Sequence, residues 1–260
     1  MQFFLKKTDM LKVAKIENKP EIFYSIQGEG KNLGKPSIFI RLSLCNLACI
    51  WCDTDYTWNW ENTTFIHQND QNPNYQKYSK KEYLIKLSNQ SLIAEIEQYP
   101  SLQVVITGGE PLLQQKNLVS FISDLKEKNQ NYHIEFETNG TIVPLAALDA
   151  QTDQYNVSVK LSNAQLAEKE RIKPAALHFF AASKKAYFKF VIEKEQDLEE
   201  VFALQSTYQI PKERIYLMPE GRQRETLQKR QNWLIEICKK HLFNYTDRLH
   251  IHIYGDKRGI

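Results

Sequence analysis

Short runs of β-branched and aromatic residues recur along the 260-residue chain, and longer stretches with apolar positions three and four apart lie between them. The short runs predict strands at 37–42 (SIFIRL), 102–107 (LQVVIT), 132–138 (YHIEFET), 155–159 (YNVSV), 187–192 (YFKFVI), 214–218 (RIYLM) and 248–254 (RLHIHIY). The longer stretches predict helices at 80–99, 117–128, 195–208 and 224–242. Strands alternating with helices argue for βα units around a parallel sheet, and right-handed crossovers wind such units into an open or closed barrel. The expected fold class is α/β. The segment 61–79 (ENTTFIHQNDQNPNYQKYS) breaks the alternation, being polar, rich in Asn and Gln, and without a period. It reads as a long surface insertion, functional or mobile, within a single domain spanning 1–260.

Composition changes this picture little. Apolar residues at 42% and charged residues at 25% are ordinary for a globular chain. A formal net charge of +3 does not announce nucleic-acid binding. No run of 18 apolar residues occurs, so no membrane span is expected. Lys6, Lys7 and Asp9 come too early for a signal-peptide core.

The polar motifs gather at the predicted strand ends. A cysteine loop (45–52) follows the first parallel strand, TGGEP (107–111) the second and GDKR (255–258) the last, while ETNG (137–140), the stretch 158–160 and MPEG (218–221) end the third, fourth and sixth. In parallel α/β barrels the site is built from loops at the carboxyl ends of the strands, so six motifs at six such ends point to one pocket.

Cys45, Cys49 and Cys52 have the spacing C-x3-C-x2-C. Three close thiolates can hold three irons of a 4Fe-4S cluster and leave the fourth iron open to a small molecule. A zinc site would want a fourth Cys or a paired His, and His67 has no partner at that spacing. A redox C-x-x-C of Cys49 and Cys52 leaves Cys45 unexplained. Cys238 lies in an apolar helical pattern and reads as a buried core thiol. Thiols placed for a metal site suit a reducing, cytoplasmic compartment.

Other motifs admit two readings each. The glycines of TGGEP let backbone approach a charged amino-acid group, or form a generic strand-to-helix turn. The loop SIQGEG (25–30) presents an amide and a carboxylate that could read a guanine-like edge, or is a plain turn. Arg41 suits a substrate carboxylate, or makes a surface ion pair. Asp53 or Thr54 could place an oxygen on Mg2+, or close a local turn. Tyr56, Trp58 and Trp60 could wall a pocket or form an exposed strand packing on a neighbouring subunit.

The cysteine spacing with GGE resembles the radical S-adenosylmethionine (SAM) superfamily. The IQGEG loop, Arg41 and the cysteine loop ending in CDT narrow the resemblance, which also takes in YTWNW, TGGEP, ETNG, SVKLS, MPEG and GDKRG, to the 7-carboxy-7-deazaguanine synthase family. That resemblance implies a partial, incomplete TIM-like barrel, a homodimer and an electron donor such as flavodoxin or ferredoxin. It implies ring contraction of 6-carboxy-5,6,7,8-tetrahydropterin to 7-carboxy-7-deazaguanine with loss of ammonia, a step in queuosine biosynthesis, begun by hydrogen abstraction from C6. Position by position it implies Cys45, Cys49 and Cys52 as cluster ligands and Thr54 as a Mg2+ ligand. It implies SAM contacts at Trp51, Asp53, Gly109, Ser158, Val159, Lys160, Met218, Pro219, Glu220 and Gly221. Substrate contacts are implied at Ile26, Gln27, Gly28, Arg41 and Thr107, and Ile260 is expected to reach the pterin through its carboxylate. No proton carrier stands out among His133, Lys160 and His252. The competing classes are another radical SAM enzyme, such as a glycyl-radical activase, and an RNA-binding iron–sulfur or zinc protein. An activase tends to carry extra cysteines, and only Cys238 is to spare. The small net charge disfavours RNA.

Overall fold

The computed structural model describes residues 10–260, so Lys6, Lys7 and Asp9 lie outside the described residues. Eleven strands occur among these: β1 Met10–Ile16, β2 Lys19–Pro20, β3 Ile22–Ile26, β4 Pro36–Leu42, β5 Leu84–Ser88, β6 Gln103–Gly108, β7 His133–Thr138, β8 Gln154–Val157, β9 Ala186–Ile192, β10 Ile215–Pro219 and β11 Asn244–Tyr245. They form one sheet in the order β11-β10-β9-β8-β7-β6-β4-β1-β2, with β3 paired to β4 and β5 to β1. From β4 to β11 every pairing is parallel. The pairings of β1, β2, β3 and β5 are antiparallel. The described β11 pairs only with β10, so the parallel sheet curls without closing, as a partial barrel does.

Side chains alternate across a strand, and here the two faces have opposite chemistry. One face carries Ile38, Ile40, Val104, Ile106, Ile134, Phe136, Tyr155, Val157, Phe188, Phe190 and Leu217, all in the main apolar core. The helices Gln115–Lys128, Pro174–Ala182 and Asp197–Tyr208 cover that face. The first does so with Leu118, Phe121, Ile122 and Leu125, one stripe at helical spacing. Burying a side chain of this size stabilises by about 1.5–3 kcal/mol. The other face carries Phe39, Arg41, Thr107, Glu137, Ser158, Lys189, Val191, Met218 and Glu220, all of which line a cavity. The parallel strands therefore have an apolar outside and a largely polar lumen.

Two predicted elements are corrected. The stretch 80–99 is not one helix but Lys80–Tyr83, then β5, then Asn89–Ile96. β5 pairs with β1 from Met10↔Ser88 to Ala14↔Leu84, and Ser88 then caps the next helix by accepting from the Ser91 N–H. The alternating run at 248–254 is the helix Leu249–Tyr254, not a strand. β11 offers only a two-residue edge, whereas the helix start is fixed by the Leu249 N–H on the Gly28 carbonyl at 2.9 Å.

The TGGEP turn is the tightest backbone approach near the cavity. Gly108 has φ +137°, and a Cβ there would lie 2.0 Å from the Leu42 carbonyl oxygen. Gly108→Ala should therefore cost about 2–5 kcal/mol, combining left-handed strain with a backbone clash. Gly34 also has positive φ (+86°) but faces open space, so Gly34→Ala should cost only about 1–2 kcal/mol. Urea unfolding of the two variants is the check, and equal losses would count against the steric argument.

Candidate functional site

The carboxyl-end loops and the polar lumen converge on one cavity. Eighteen of the twenty residues singled out from the sequence line it: Cys45, Cys49, Cys52, Thr54, Trp51, Asp53, Gly109, Ser158, Lys160, Met218, Glu220, Gly221, Ile26, Gln27, Gly28, Arg41, Thr107 and Ile260. Val159 and Pro219 do not. The Val159 side chain is buried in the apolar core, and Pro219 ends β10 with its ring buried. Of the three unranked proton carriers only Lys160 lines the cavity, with Nζ 2.9 Å from Ser158 Oγ. His133 opens β7 at the opposite end of the strand from Glu137, and His252 bonds Asp247 at 3.1 Å.

The three thiols sit in a small apolar pocket with Leu47, Trp51, Ala164 and Leu166. Burial pushes all three up, Cys49 to about 12, although Lys160 pulls Cys49 down. Thiols so placed stay protonated unless a metal takes them as thiolates. The described residues hold no three Cys, His, Asp or Glu groups arranged around a single ion. Three cysteine thiols lining one cavity are a donor set that a 4Fe-4S cubane can take at three of its irons. Gly109 leaves room beside them, since a Cβ there would meet the Leu44 carbonyl oxygen at 2.2 Å and Cys45 Cβ at 2.9 Å.

The insertion 61–79 folds onto this loop rather than away from it. His67 is buried, and its Nε2 lies 2.8 Å from the Cys52 carbonyl. Tyr75 and Tyr78 donate to the two oxygens of Asp55 at 2.6 and 3.3 Å. Tyr56 and Trp58 are buried walls, not an exposed strand, and 55–57 form a short 3-10 turn.

Two charge clusters fix the rim. In the first, Glu29 takes Lys189 Nζ on one oxygen and Arg248 Nε at 3.0 Å on the other. Arg248 also donates to the Gly221 carbonyl at 2.8 Å and to Asp53. Burial pushes the Glu29 carboxyl up, but Lys189 and Arg248 overcome this and hold it well below the usual carboxylate range. Glu29 is thus already paired by two cations, and of the two readings of SIQGEG this favours the one in which its carboxylate does not read a guanine-like edge. In the second cluster, Glu21 accepts from Arg41 Nε at 3.0 Å, Tyr56 at 2.9 Å and Arg258 at 2.7 Å. The Arg258 guanidinium lies 3.4 Å over the Tyr56 ring, and this sets Gly259 and Ile260 on the cavity wall.

A further acid on the cavity wall is Glu137, which sequence reading placed in a motif but gave no role. It accepts from Thr107 Oγ1 at 3.0 Å and Gln27 Nε2 at 3.2 Å. Its position on the polar face of β7 was the available signal. Glu110 of TGGEP turns inward instead. It is fully buried and accepts from the Asn139 N–H at 2.7 Å, the Leu112 N–H at 2.9 Å and Thr138 Oγ1 at 2.9 Å. Lys189, Arg248 and His250 were missed, because nothing in their local sequence marks ion pairs made across the fold.

Residues 40–192 match the model of the radical SAM superfamily. The chain is 35% identical over 240 residues to the 7-carboxy-7-deazaguanine synthase of Pyrobaculum aerophilum, covering 92% of this chain and 95% of that protein. It is 34% identical over 258 residues to the enzyme of the same name from Halobacterium salinarum, covering 91% and 90%. In fold it is similar to the crystal structure of QueE from Escherichia coli, with a TM-score of 0.64 and 24% identity, covering 93% of this chain and 95% of that one.

Two outcomes follow from the geometry. Glu29→Gln leaves two cations buried without their carboxylate and should cost about 3–5 kcal/mol in urea unfolding, where a surface pair would cost under about 1 kcal/mol. Glu110 is pushed up to about 7 by burial, against the pull of its N–H and hydroxyl donors. Its proton is kept in the fold and lost from the unfolded chain above about 4.5, the ordinary value. Wild-type stability relative to Glu110→Gln should therefore fall as pH rises from about 4.5 to about 7 and level off beyond. A difference that stays flat or grows over that window would contradict this account of the site.

Proposed function

The chain belongs to the 7-carboxy-7-deazaguanine synthase family of the radical SAM superfamily, and from that premise we propose that it converts 6-carboxy-5,6,7,8-tetrahydropterin to 7-carboxy-7-deazaguanine by ring contraction, releasing ammonia on the route to queuosine. The observation that carries this reading is one shared wall: Cys45, Cys49 and Cys52 line the same cavity as Gln27, Arg41 and Thr107.

Cys45, Cys49 and Cys52 would hold the 4Fe-4S cluster, and Gly109 with Ser158, Lys160 and the MPEG turn would hold SAM. The bound pair supplies one-electron cleavage of SAM and so the radical that starts the rearrangement. The protein's own groups bind, orient and keep water out. Arg41, held through Nε by Glu21, brings a cation to the substrate carboxylate. Glu137, flanked by Gln27 and Thr107, offers an acceptor to ring N–H groups, the part that Glu29 cannot take while Lys189 and Arg248 hold it. Thr54 hydroxyl would supply one oxygen to Mg2+, an ion that prefers oxygen ligands and keeps several waters. Asp53 is engaged by Arg248 and does not serve there. The reading includes a homodimer, a single domain, a cytoplasmic setting and an electron donor such as flavodoxin or ferredoxin. No described helix is long and apolar enough to cross a membrane.

Anaerobic reconstitution with iron and sulfide, then incubation with SAM and reductant with and without the carboxypterin, tests the reading. Carboxydeazaguanine and ammonia should form only with the pterin present. Ala at position 45, 49 or 52 should abolish both the cluster absorbance and turnover, and Cys238→Ala should keep both, since Cys238 is buried in the helix Arg224–His241. SAM cleavage with no pterin consumption would overturn the substrate assignment, and cluster loss in Cys238→Ala would overturn the ligand set.

A further inference from the structure

Trp58 is 3% exposed, and its indole N–H donates to Cys52 Sγ at 3.2 Å. Several contacts hold the ring in that position. The backbone of Trp58 closes the 55–57 turn through its N–H on the Asp55 carbonyl at 3.0 Å. Phe65 stands edge-on to the ring at 5.8 Å and His67 at 6.2 Å. The Cys52 carbonyl can only accept, so His67 Nε2 donates to it, while Nδ1 lies 3.2 Å from the Asn69 N and 3.5 Å from Asp55 Oδ2. The insertion thus grips both the Cys52 backbone and the indole aimed at its sulfur.

Among the three cavity cysteines, Cys52 is the one with a side-chain N–H donor, Trp58 at 3.2 Å, and the Thr54 hydroxyl lies 3.6 Å from the same sulfur, while the donor to Cys45 Sγ is the Leu47 backbone N–H at 3.4 Å. We propose that Trp58 is a positioning residue for the iron–sulfur centre: its indole N–H hydrogen-bonds the ligating sulfur of Cys52 and raises the centre's reduction potential, with the insertion 61–79 as its brace. The inference rests on the reading of Cys52 as a cluster ligand. An added electron increases the negative charge on the ligand sulfurs, so a fixed donor stabilises the reduced state more than the oxidised one. The low dielectric of a buried site strengthens that difference. The donor is an indole, which has no acceptor to offer in exchange and whose N–H does not ionise in water.

The test is an anaerobic redox titration of the reconstituted protein without substrate, followed by visible absorbance and electron paramagnetic resonance. Wild type is compared with Trp58→Phe and with protein carrying β-(3-benzothienyl)alanine at position 58, which keeps the bicyclic outline and lacks the N–H. Both should retain wild-type iron content and titrate at a more negative potential. At the wild-type midpoint the ratio of reduced to oxidised cluster should fall about threefold to tenfold, as expected for losing part of a charge-assisted hydrogen bond. If the Phe protein loses iron through poorer packing, the benzothienyl protein decides. An unmoved midpoint there, at full iron content, overturns this inference and leaves the functional reading standing. A wild-type protein that takes up no cluster overturns both.

Discussion

The architecture depends on a charged knot at the mouth of the barrel. An open parallel sheet cannot use a closing strand to bring its first and last loops together. Here Glu29 from the loop before β4, Asp53 from the cysteine loop, Lys189 from β9 and Arg248 after β11 do so instead. Arg248 touches residues 219 and 195 positions away in sequence. Charges this deep are costly to desolvate, and pairing alone often only breaks even. The knot is tolerable because the donors are matched: the Arg248 fork serves Glu29, Asp53 and the Gly221 carbonyl at once. What the knot supplies is geometry, since it fixes the cysteine loop against the loop that carries Gln27.

The second tie, Arg258 and Arg41 on Glu21 with Tyr56, does the same for the far side. It draws residues 258–260 onto the cavity and explains why a segment with five charges or glycines in its last six positions is held in place. The insertion 61–79 completes the ring of supports by bonding Cys52 and Asp55 from outside. The loop that carries Gln27, the cysteine loop and the segment 258–260 are each thereby held by side chains distant in sequence, which is how positions without regular secondary structure become well defined.

Much of this was legible. The parallel strands announced themselves because apolar and polar residues alternate where one face meets helices and the other meets a lumen: Ile134 and Phe136 against Glu135 and Glu137 is the plainest case. The cysteine spacing and the glycines of TGGEP are local patterns with local causes. What failed had non-local causes. YLIKLS (83–88) carries apolar positions that suit either period, and it became a strand because β1, some seventy residues earlier, offered an edge. RLHIHIY alternates like a strand but found no edge, and as a helix it buries Ile251 and leaves Ile253 48% exposed. The partners of Glu29 were out of reach because its cations arrive from β9 and from the start of the last helix. No reading of the GEG turn alone contains them.

The polar lumen explains how the rim and the barrel interior are coupled. Glu135, two residues before Glu137 on the same face of β7, is fully buried and accepts from the amides of Gln27, Asn32, Gln103 and Asn156. A TIM-type barrel ordinarily fills this space with branched aliphatic side chains. Amides around an acid fill it just as densely but add direction, because each bond has a preferred angle. Gln27 is the hinge of the arrangement: one Nε2 donates down to Glu135 at 2.9 Å and across to Glu137 at 3.2 Å. Its rotamer is therefore set from below by the lumen, while its loop is set from above by the Glu29 ion pairs. A side chain constrained from both directions loses little further freedom when a ligand arrives. That is the condition under which a few polar groups can orient a flat heterocycle in a site open at one end.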